Sequence, residues 1–204
     1  MVKKNLSRLK INTVVKAFIF AEMLLWSGWN FIMPVFAIYV AKLPNGSVEK
    51  AASSVSVYLV ARVISGLISG KYLSGKRNRH KLFVTVLGMS LLGLTYIGMA
   101  FSKNVNEIIF FYGLAGLALG IASPAKNSLF SDNLKKDKAT FTWSILEGGV
   151  FLSMALTAAL GGVIAQRFGF QILFFIAAIL NFTALIPYFI YYNHWKKKLA
   201  PNTL

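Results

Sequence analysis

The sequence lacks cysteine altogether and contains only two histidines and six acidic residues among its 204 positions. The absence of cysteine excludes disulfide bridges, thiolate metal ligands and a thiol nucleophile. Both histidines, His80 and His194, lie in basic segments, so neither can join a serine or a metal ion inside an apolar region. The glycine-rich segments lack the Gly-Lys-Ser/Thr ending of a phosphate loop. We therefore expect no enzyme activity, no cofactor and no metal site.

Charged residues are also scarce, at 14% of the chain, whereas 56% of residues are hydrophobic and the mean hydropathy is +0.62. A soluble domain would carry about a quarter charged residues, so this composition indicates a membrane protein. The net charge of +16 could suggest a nucleic-acid partner. The lysines and arginines, however, lie in short segments between apolar runs, and a nucleic-acid binder concentrates them on one folded surface. We expect a lipid bilayer and no nucleic acid.

Six apolar segments, each long enough to cross a hydrocarbon core of about 30 Å as a helix, divide the chain. Backbone groups in lipid must be hydrogen-bonded within their own segment, which favours helices. The first segment is too long for the apolar region of a signal peptide and is expected to be retained. The predicted fold is one all-α membrane domain over residues 1–204, with spans at 12–41, 51–73, 82–102, 107–127, 140–166 and 168–193.

Lysine and arginine are distributed unequally between the two ends of these segments. Seventeen lie in the N-terminal arm, the second and fourth connections and the C-terminal tail, four lie on the opposite side, and Arg62 lies within a span. Lys126 and Asn127 are expected at the mouth of the basic side. Positive residues are retained in the cytoplasm. The distribution therefore predicts a multi-pass membrane protein with both termini in the cytoplasm.

The two halves of the chain repeat each other weakly. Pro34 lies late in the first segment, and Pro124, 90 residues later, lies late in the fourth. Gly70 precedes the connection between the second and third segments, and Gly162, 92 residues later, precedes the connection between the fifth and sixth. Three spans followed by three similar spans of opposite orientation form the inverted repeat of transporter folds. Chance agreement between glycine-rich helices is the alternative.

The second connection resembles a signature of the major facilitator superfamily, Gly-x-x-x-Asp-Arg/Lys-x-Gly-Arg/Lys-Arg/Lys. Ser74 stands where that family has its aspartate, and the basic residues are displaced along the chain. The stretch Ser123 to Ala125 is similar to part of the family's fourth helix. The stretch Gly161 to Phe170 is similar to the turn between its fifth and sixth helices. The positions of this chain that match the loop signature or its basic cluster are Gly70, Ser74, Lys76, Arg77, Arg79 and Lys81.

The resemblance implies a half-length, six-helix member of the bacterial inner membrane. Such a chain is one bundle of a fold in which two bundles enclose a central cavity. A parallel homodimer, the commonest closed assembly, would complete that cavity. The family's halves meet through helices two and five, and small residues let helices approach closely. The predicted contact residues are Ser65, Gly66, Ser69, Gly149, Ser153, Thr157 and Gly161. The alternative is that both small-residue stripes pack within one protomer.

Ionisable residues within the spans are functional candidates because a charge in lipid is costly. Glu22 and Glu147 could exchange a proton or, with Arg62, form a structural ion pair; Arg62 could instead bind an anionic group. Helical periodicity places Glu22, Trp26 and Asn30 on one face, which suits an amphipathic or cationic substrate unless the indoles only pack. The predicted substrate and proton pathway is Glu22, Trp26, Trp29, Asn30, Arg62, Tyr112 and Glu147.

Together these features predict a secondary active transporter of small molecules. It would work by alternating access as a parallel homodimer of six-helix halves, with protons as the candidate coupling ion. Two alternatives stay open: a membrane assembly subunit that transports nothing, and one half of a heteromeric or twelve-helix transporter.

Overall fold

The computed structural model describes residues 12–199, and the side chains of residues 12–192. The basic N-terminal arm, the tail lysines and the His194 side chain lie outside these ranges. In the described part, six helical segments are long and apolar enough to cross a membrane, and no strand is present. We name them spans 1 to 6: Thr13–Lys42, Val48–Leu73, Asn78–Phe101, Val105–Asp132, Lys136–Phe168 and Phe170–Tyr192. The predicted all-α membrane fold is confirmed.

Local signals in the sequence begin and end these helices. The side chains of Asn12, Ser47 and Asn104 accept hydrogen bonds from backbone N–H groups in the first turns of spans 1, 2 and 4. Gly75 and Gly169 have positive φ angles of 72° and 86° in the turns after spans 2 and 5, a backbone conformation that glycine adopts without strain. The ends of the spans are therefore encoded locally.

Three spans are not single uninterrupted helices. Span 1 consists of the helix Thr13–Ile32, a 3₁₀ turn at Met33–Val35 and the helix Phe36–Lys42. The turn contains Pro34, which cannot donate the backbone hydrogen bond that would continue the helix. Span 5 begins with a 3₁₀ turn at Lys136–Lys138 and continues as the helix Ala139–Phe168. Span 6 contains the helices Phe170–Thr183 and Ile186–Leu199, the second of which runs beyond the apolar segment.

Helix packing follows the predicted repeat. Span 4 packs along spans 2 and 3, span 1 packs along spans 5 and 6, and spans 3 and 6 pack on each other. Exchanging spans 1 with 4, 2 with 5 and 3 with 6 reproduces these five pairs of neighbours. The chain is therefore built as three helices followed by three equivalent helices.

Close backbone contacts obey the same exchange. A Cβ atom at Gly28 of span 1 would lie 3.1 Å from the carbonyl oxygen of Ala177 in span 6. A Cβ atom at Gly88 of span 3 would lie 2.6 Å from the carbonyl oxygen of Ala118 in span 4. Ala118 follows Gly28 by 90 residues, and Ala177 follows Gly88 by 89. Equivalent positions in the two halves therefore make equivalent helix contacts.

The small residues of span 2 pack against span 4 of the same protomer. The Ser69 hydroxyl donates a hydrogen bond of 2.8 Å to the carbonyl oxygen of Ile121. Ser65 is buried, and both Ser65 and Gly66 face Gly120 across the helix contact. These three residues were predicted to meet a second copy of the chain. Within the protomer the backbone they approach belongs to span 4, as the alternative expected, and a contact with a second copy stays a prediction.

The small residues of span 5 pack in the same way against span 1. The Ser153 hydroxyl donates a hydrogen bond of 3.2 Å to the carbonyl oxygen of Met23, and Gly149 faces the same methionine. Thr157 is buried, and a Cβ atom at Gly161 would overlap the carbonyl oxygen of Phe31. Both small-residue stripes therefore pack against helices of their own protomer, and the contact of these four residues with a second copy stays a prediction.

Large apolar side chains cover the opposite faces of spans 2 and 5. Only 22% of the apolar window of span 2 and 17% of that of span 5 are buried, against 39% or more in the other four spans. The largest exposed side chains on these two faces include Val60, Ile64, Leu67 and Ile68 of span 2, and Phe151, Leu152, Leu156 and Leu160 of span 5. Spans 2 and 5 are thus the least covered helices of the bundle.

Candidate functional site

One face of the bundle contains an open pocket of about 380 Å³ between spans 1, 2, 4 and 5. Four ionisable residues line it, one from each span: Glu22, Arg62, Lys126 and Glu147. Its other lining residues are Trp26, Ser123, Asn127, Leu146, Val150, Phe151 and Met154. Four of the seven predicted pathway residues, Glu22, Trp26, Arg62 and Glu147, therefore meet at one pocket.

Glu22 and Lys126 form a buried ion pair in this pocket. The Lys126 ammonium lies 2.6 Å from Oε1 and 2.5 Å from Oε2 of Glu22. Only 9% of Glu22 and 5% of Lys126 are exposed. The Trp26 indole also donates a hydrogen bond of 3.2 Å to Glu22 Oε2, from one helical turn further along span 1. The carboxylate is thus fully engaged by its own protein.

This ion pair corrects two predictions. Lys126 was placed at the mouth of the basic side, but span 4 continues as a helix to Asp132 and carries Lys126 into the bundle. Arg62 was one of the predicted partners of Glu22, and the structure pairs Glu22 with Lys126 instead. The helical segment extends five residues beyond the predicted boundary at residue 127, which is why the sequence pattern missed this lysine.

Arg62 is half-buried and contacts aromatic side chains. Its Nη1 atom donates a hydrogen bond of 3.1 Å to the Tyr58 hydroxyl, one turn earlier in span 2. Its guanidinium lies 5.5 Å from the ring centre of Trp26 and 5.9 Å from that of Tyr58, within the range of cation–π interactions. All six acidic residues of the chain lie in the described part, and none is within 4.0 Å of Arg62. The predicted structural ion pair of Arg62 is not formed.

Glu147 differs from Glu22 although both line the pocket. The side chain of Glu147 is exposed, and among the described residues it forms no ion pair. It follows Leu146 on the pocket side of span 5. The pocket therefore offers one engaged carboxylate and one free carboxylate.

Trp29 and Tyr112 lie in an aromatic layer behind the pocket. The Trp29 ring is 4.7 Å from Tyr58 and 5.6 Å from Tyr112, and Phe36 stacks on Tyr112 at 4.5 Å between ring centres. Tyr58 and Tyr112 are 2% and 1% exposed. None of these four rings lines the pocket wall. Tyr58 connects the layer to Arg62, and its spacing of four residues from Arg62 was the signal that could have identified it.

Asn30 is the remaining predicted pathway residue. Its side-chain amide donates a hydrogen bond of 3.3 Å to the carbonyl oxygen of Trp26, within span 1. The carbonyl thus has a local partner, and Asn30 does not line the pocket. Asn30 thus lies outside the pocket lining, and its side chain makes a hydrogen bond within its own helix.

The connection between spans 2 and 3 is tied to span 4. Gly70 lies against Pro124, with a hypothetical Cβ atom 3.8 Å from the proline ring, and Ser74 ends span 2. The Lys81 ammonium lies 2.9 Å from Asp132 Oδ2 at the end of span 4. Asp132 thus supplies a carboxylate to the first turn of span 3, which follows the loop that has Ser74 in the family's acidic position.

The other basic residues of this connection have separate surroundings. The Lys76 ammonium lies 5.5 Å from the centre of the Tyr72 ring, Arg77 precedes the first residue of span 3, and Arg79 is exposed.

Among the described residues no group of three His, Cys, Asp or Glu side chains could hold a metal ion.

Comparisons with known proteins agree with this architecture. The family model described as Major Facilitator Superfamily matches residues 18–203. The chain is 25% identical over 171 residues to the multidrug resistance protein MdtG of Proteus mirabilis, covering 82% of this chain and 42% of that protein. It is 25% identical over 190 residues to the uncharacterized MFS-type transporter YuxJ of Bacillus subtilis, covering 90% and 47%.

A further relative is the multi-drug resistance efflux pump PmrA of Streptococcus pneumoniae, 25% identical over 169 residues, which cover 82% of this chain and 42% of the pump. The chain thus spans less than half the length of the curated relatives it matches. A crystal structure of a peptide transporter POT in complex with alafosfalin superposes with a TM-score of 0.74 at 20% identity. It covers 88% of this chain and 38% of the transporter, so the likeness concerns the fold of one part. The chain belongs to the major facilitator superfamily.

Proposed function

We propose that this chain is a secondary active transporter of small amphipathic molecules and works by alternating access. The observation that carries the proposal is an open pocket lined by four ionisable residues, each from a different membrane span. Ionisable residues within membrane spans are costly and mark substrate or ion pathways. The relatives named for multidrug resistance and efflux support the same function class.

The second half of the transporter is proposed to be another copy of the same chain. Spans 2 and 5 flank the pocket and are the least covered helices, so a partner that contacts them would close the pocket into a cavity. A parallel homodimer with twofold symmetry meets this requirement. Since the small residues of both spans are used within the protomer, the proposed contact moves to their large exposed apolar side chains.

Both termini are proposed to lie in the cytoplasm of a bacterial inner membrane. Lys126 is inside span 4, so sixteen basic residues remain on the side of the termini against four on the other. The cysteine-free chain is a suitable background for Ser74→Cys and Pro44→Cys, which lie at opposite ends of the bundle. An impermeant maleimide added to intact cells is expected to label the cysteine at position 44 only. Labelling at position 74 alone would reverse the orientation.

Protons are the proposed coupling ion, with Glu22 and Glu147 as the exchanging groups. The test uses proteoliposomes loaded with a pH-sensitive dye and a panel of amphipathic amines and carboxylates. We expect saturable substrate flux that moves protons in the wild type and loses proton movement in Glu22→Gln or Glu147→Gln. Glu49→Gln is the matched control, because Glu49 is exposed in the first turn of span 2. Proton movement retained in both pocket variants would refute the coupling.

A different partner chain is the second candidate, favoured by the coverage of less than half of each curated relative. Single-molecule photobleaching of a labelled C-terminus in bilayers distinguishes the two assemblies. Two bleaching steps that persist on dilution support the homodimer, and single steps at every density support a missing partner. Disulfide crosslinking between two Leu156→Cys copies is expected, whereas Gly161→Cys, which faces Phe31, is expected to remain unlinked.

A further inference from the structure

Of the four charged side chains of the pocket, only Glu22 and Lys126 are paired with each other. The carboxylate of Glu22 is neutralised by Lys126 and also accepts a hydrogen bond from Trp26. Arg62 lines the same pocket, and no carboxylate of the described residues lies within 4.0 Å of it. A cationic substrate would find Glu22 already paired with Lys126 and would meet only the exposed carboxylate of Glu147, whereas an anionic group could approach a half-buried guanidinium that lacks a counter-ion.

The guanidinium is held in place before any ligand binds. The Tyr58 hydroxyl accepts one of its hydrogen bonds, and the Trp26 and Tyr58 rings lie within cation–π range. A guanidinium has five N–H donors, so the single described hydrogen bond leaves donors for a second acceptor. Its planar fork matches the two oxygens of a carboxylate, sulfonate or phosphate group.

The position of Arg62 deep within span 2 favours the binding of an anion. Arg62 lies eleven residues before the end of span 2, which corresponds to about 16 Å of helix. A cation at this depth is costly to hold in a membrane protein without a partner. A bound anion would supply the missing partner, and the low polarity of the surroundings would strengthen their attraction.

The remaining pocket wall suits an apolar body next to that charge. Trp26 presents its ring, and Leu146, Val150, Phe151 and Met154 line the wall on span 5. The volume of about 380 Å³ lies in the range of pockets for small molecules. The chemistry of the pocket is therefore that of a charged point beside an apolar surface.

We propose that Arg62 binds the anionic group of an amphipathic substrate whose apolar body lies against Trp26 and the span 5 wall. The ligand class is an aromatic or aliphatic carboxylate, sulfonate or phosphate. This inference rests on the proposed transport function for its biological meaning, since it concerns the same pocket. It replaces the expectation that Glu22 binds a cationic substrate, because Glu22 is paired with Lys126.

Three naphthalene probes with one apolar body test the site: 2-naphthoate, 2-naphthamide and 2-naphthylmethylammonium. Binding is measured by equilibrium dialysis against the full chain in phosphatidylcholine nanodiscs, with empty nanodiscs as the blank. We expect naphthoate to bind about tenfold or more tightly than the amide, the scale of a charge-assisted hydrogen bond. Equal affinities for the two, or no saturable binding of any probe, would overturn the proposal.

Variants then assign the preference to Arg62. Arg62→Gln is expected to lower naphthoate affinity to that of naphthamide and to change naphthamide affinity less than about twofold, while Arg62→Lys keeps part of the preference. Arg167→Gln, which removes an exposed arginine at the end of span 5, is the control and is expected to change nothing. An Arg62→Gln variant that weakens both probes equally would show a packing role and overturn the proposal.

The result is separable from the test of transport, because dialysis needs no gradient and no flux. Naphthoate preference without any substrate flux in proteoliposomes would sink the transporter function and retain the anion site. Proton-coupled flux of amines in a protein that does not prefer naphthoate would sink the anion site and retain the transporter function.

Discussion

The buried ion pair between Glu22 and Lys126 leads to a quantitative prediction. Glu22→Gln keeps the size of the side chain and an acceptor for the Trp26 indole, but it leaves the Lys126 ammonium without a counter-charge. Removing one partner of a buried ion pair costs about 3–5 kcal/mol. Because the pair lines an open pocket, water can reach the orphaned ammonium, and we expect the lower end, about 3 kcal/mol.

This free-energy loss is large enough to measure by thermal unfolding. For a soluble domain of 150–250 residues, 1 kcal/mol lowers the midpoint by about 2–4 °C, so Glu22→Gln should lower it by roughly 6–12 °C. Lys126→Met should lower it comparably by leaving the carboxylate unpaired. The double variant removes both charges and should recover at least half of the loss, because no unpaired charge remains.

Tryptophan fluorescence of the detergent-purified protein during heating provides the assay. Glu147→Gln is the matched control: it makes the same chemical change in the same pocket on an exposed carboxylate without an ion pair, and it should move the midpoint by less than about 2 °C. The reasoning is refuted if the two single losses add in the double variant, since additive losses would mean that the charges do not stabilise each other.

Three further predictions concern packing and the loop. Gly161→Ala should lower the free energy of unfolding by about 1–3 kcal/mol, because its Cβ atom would overlap a carbonyl oxygen of span 1. Gly162→Ala is the control and should have no effect, because the space around Gly162 is open. Equal thermal-unfolding midpoints for the two variants would contradict this packing. Ser69→Ala should cost about 0.5–1.5 kcal/mol through the lost interhelical hydrogen bond, and the exposed Ser56→Ala less; the reverse order would count against the contact. Lys81→Met should lower the free energy of unfolding by less than about 1 kcal/mol, because the side chain of its partner Asp132 is 40% exposed. This loss should disappear near 1 M salt, which screens exposed charges. A loss that salt does not change would mean that Lys81 stabilises the protein through packing.

The spans and the fold class could be predicted from the sequence for a physical reason. Lipid forces each apolar segment to satisfy its own backbone hydrogen bonds, so hydropathy alone predicts six helices. The ionisable residues Glu22, Arg62 and Glu147 were identifiable because a charge inside an apolar run is costly and stands out at any position. These properties belong to single segments and do not depend on which helices become neighbours.

Partners, by contrast, depend on the rotation and depth of helices that are distant in the chain. The sequence indicated that Glu22 needs a counter-charge, but only helix packing decided that it is Lys126, 104 residues away, and not Arg62. It indicated that Gly161 permits close approach, but not that the approaching backbone is that of Phe31. A small residue or a buried charge specifies what kind of neighbour it requires, and the tertiary structure alone determines which residue meets that requirement.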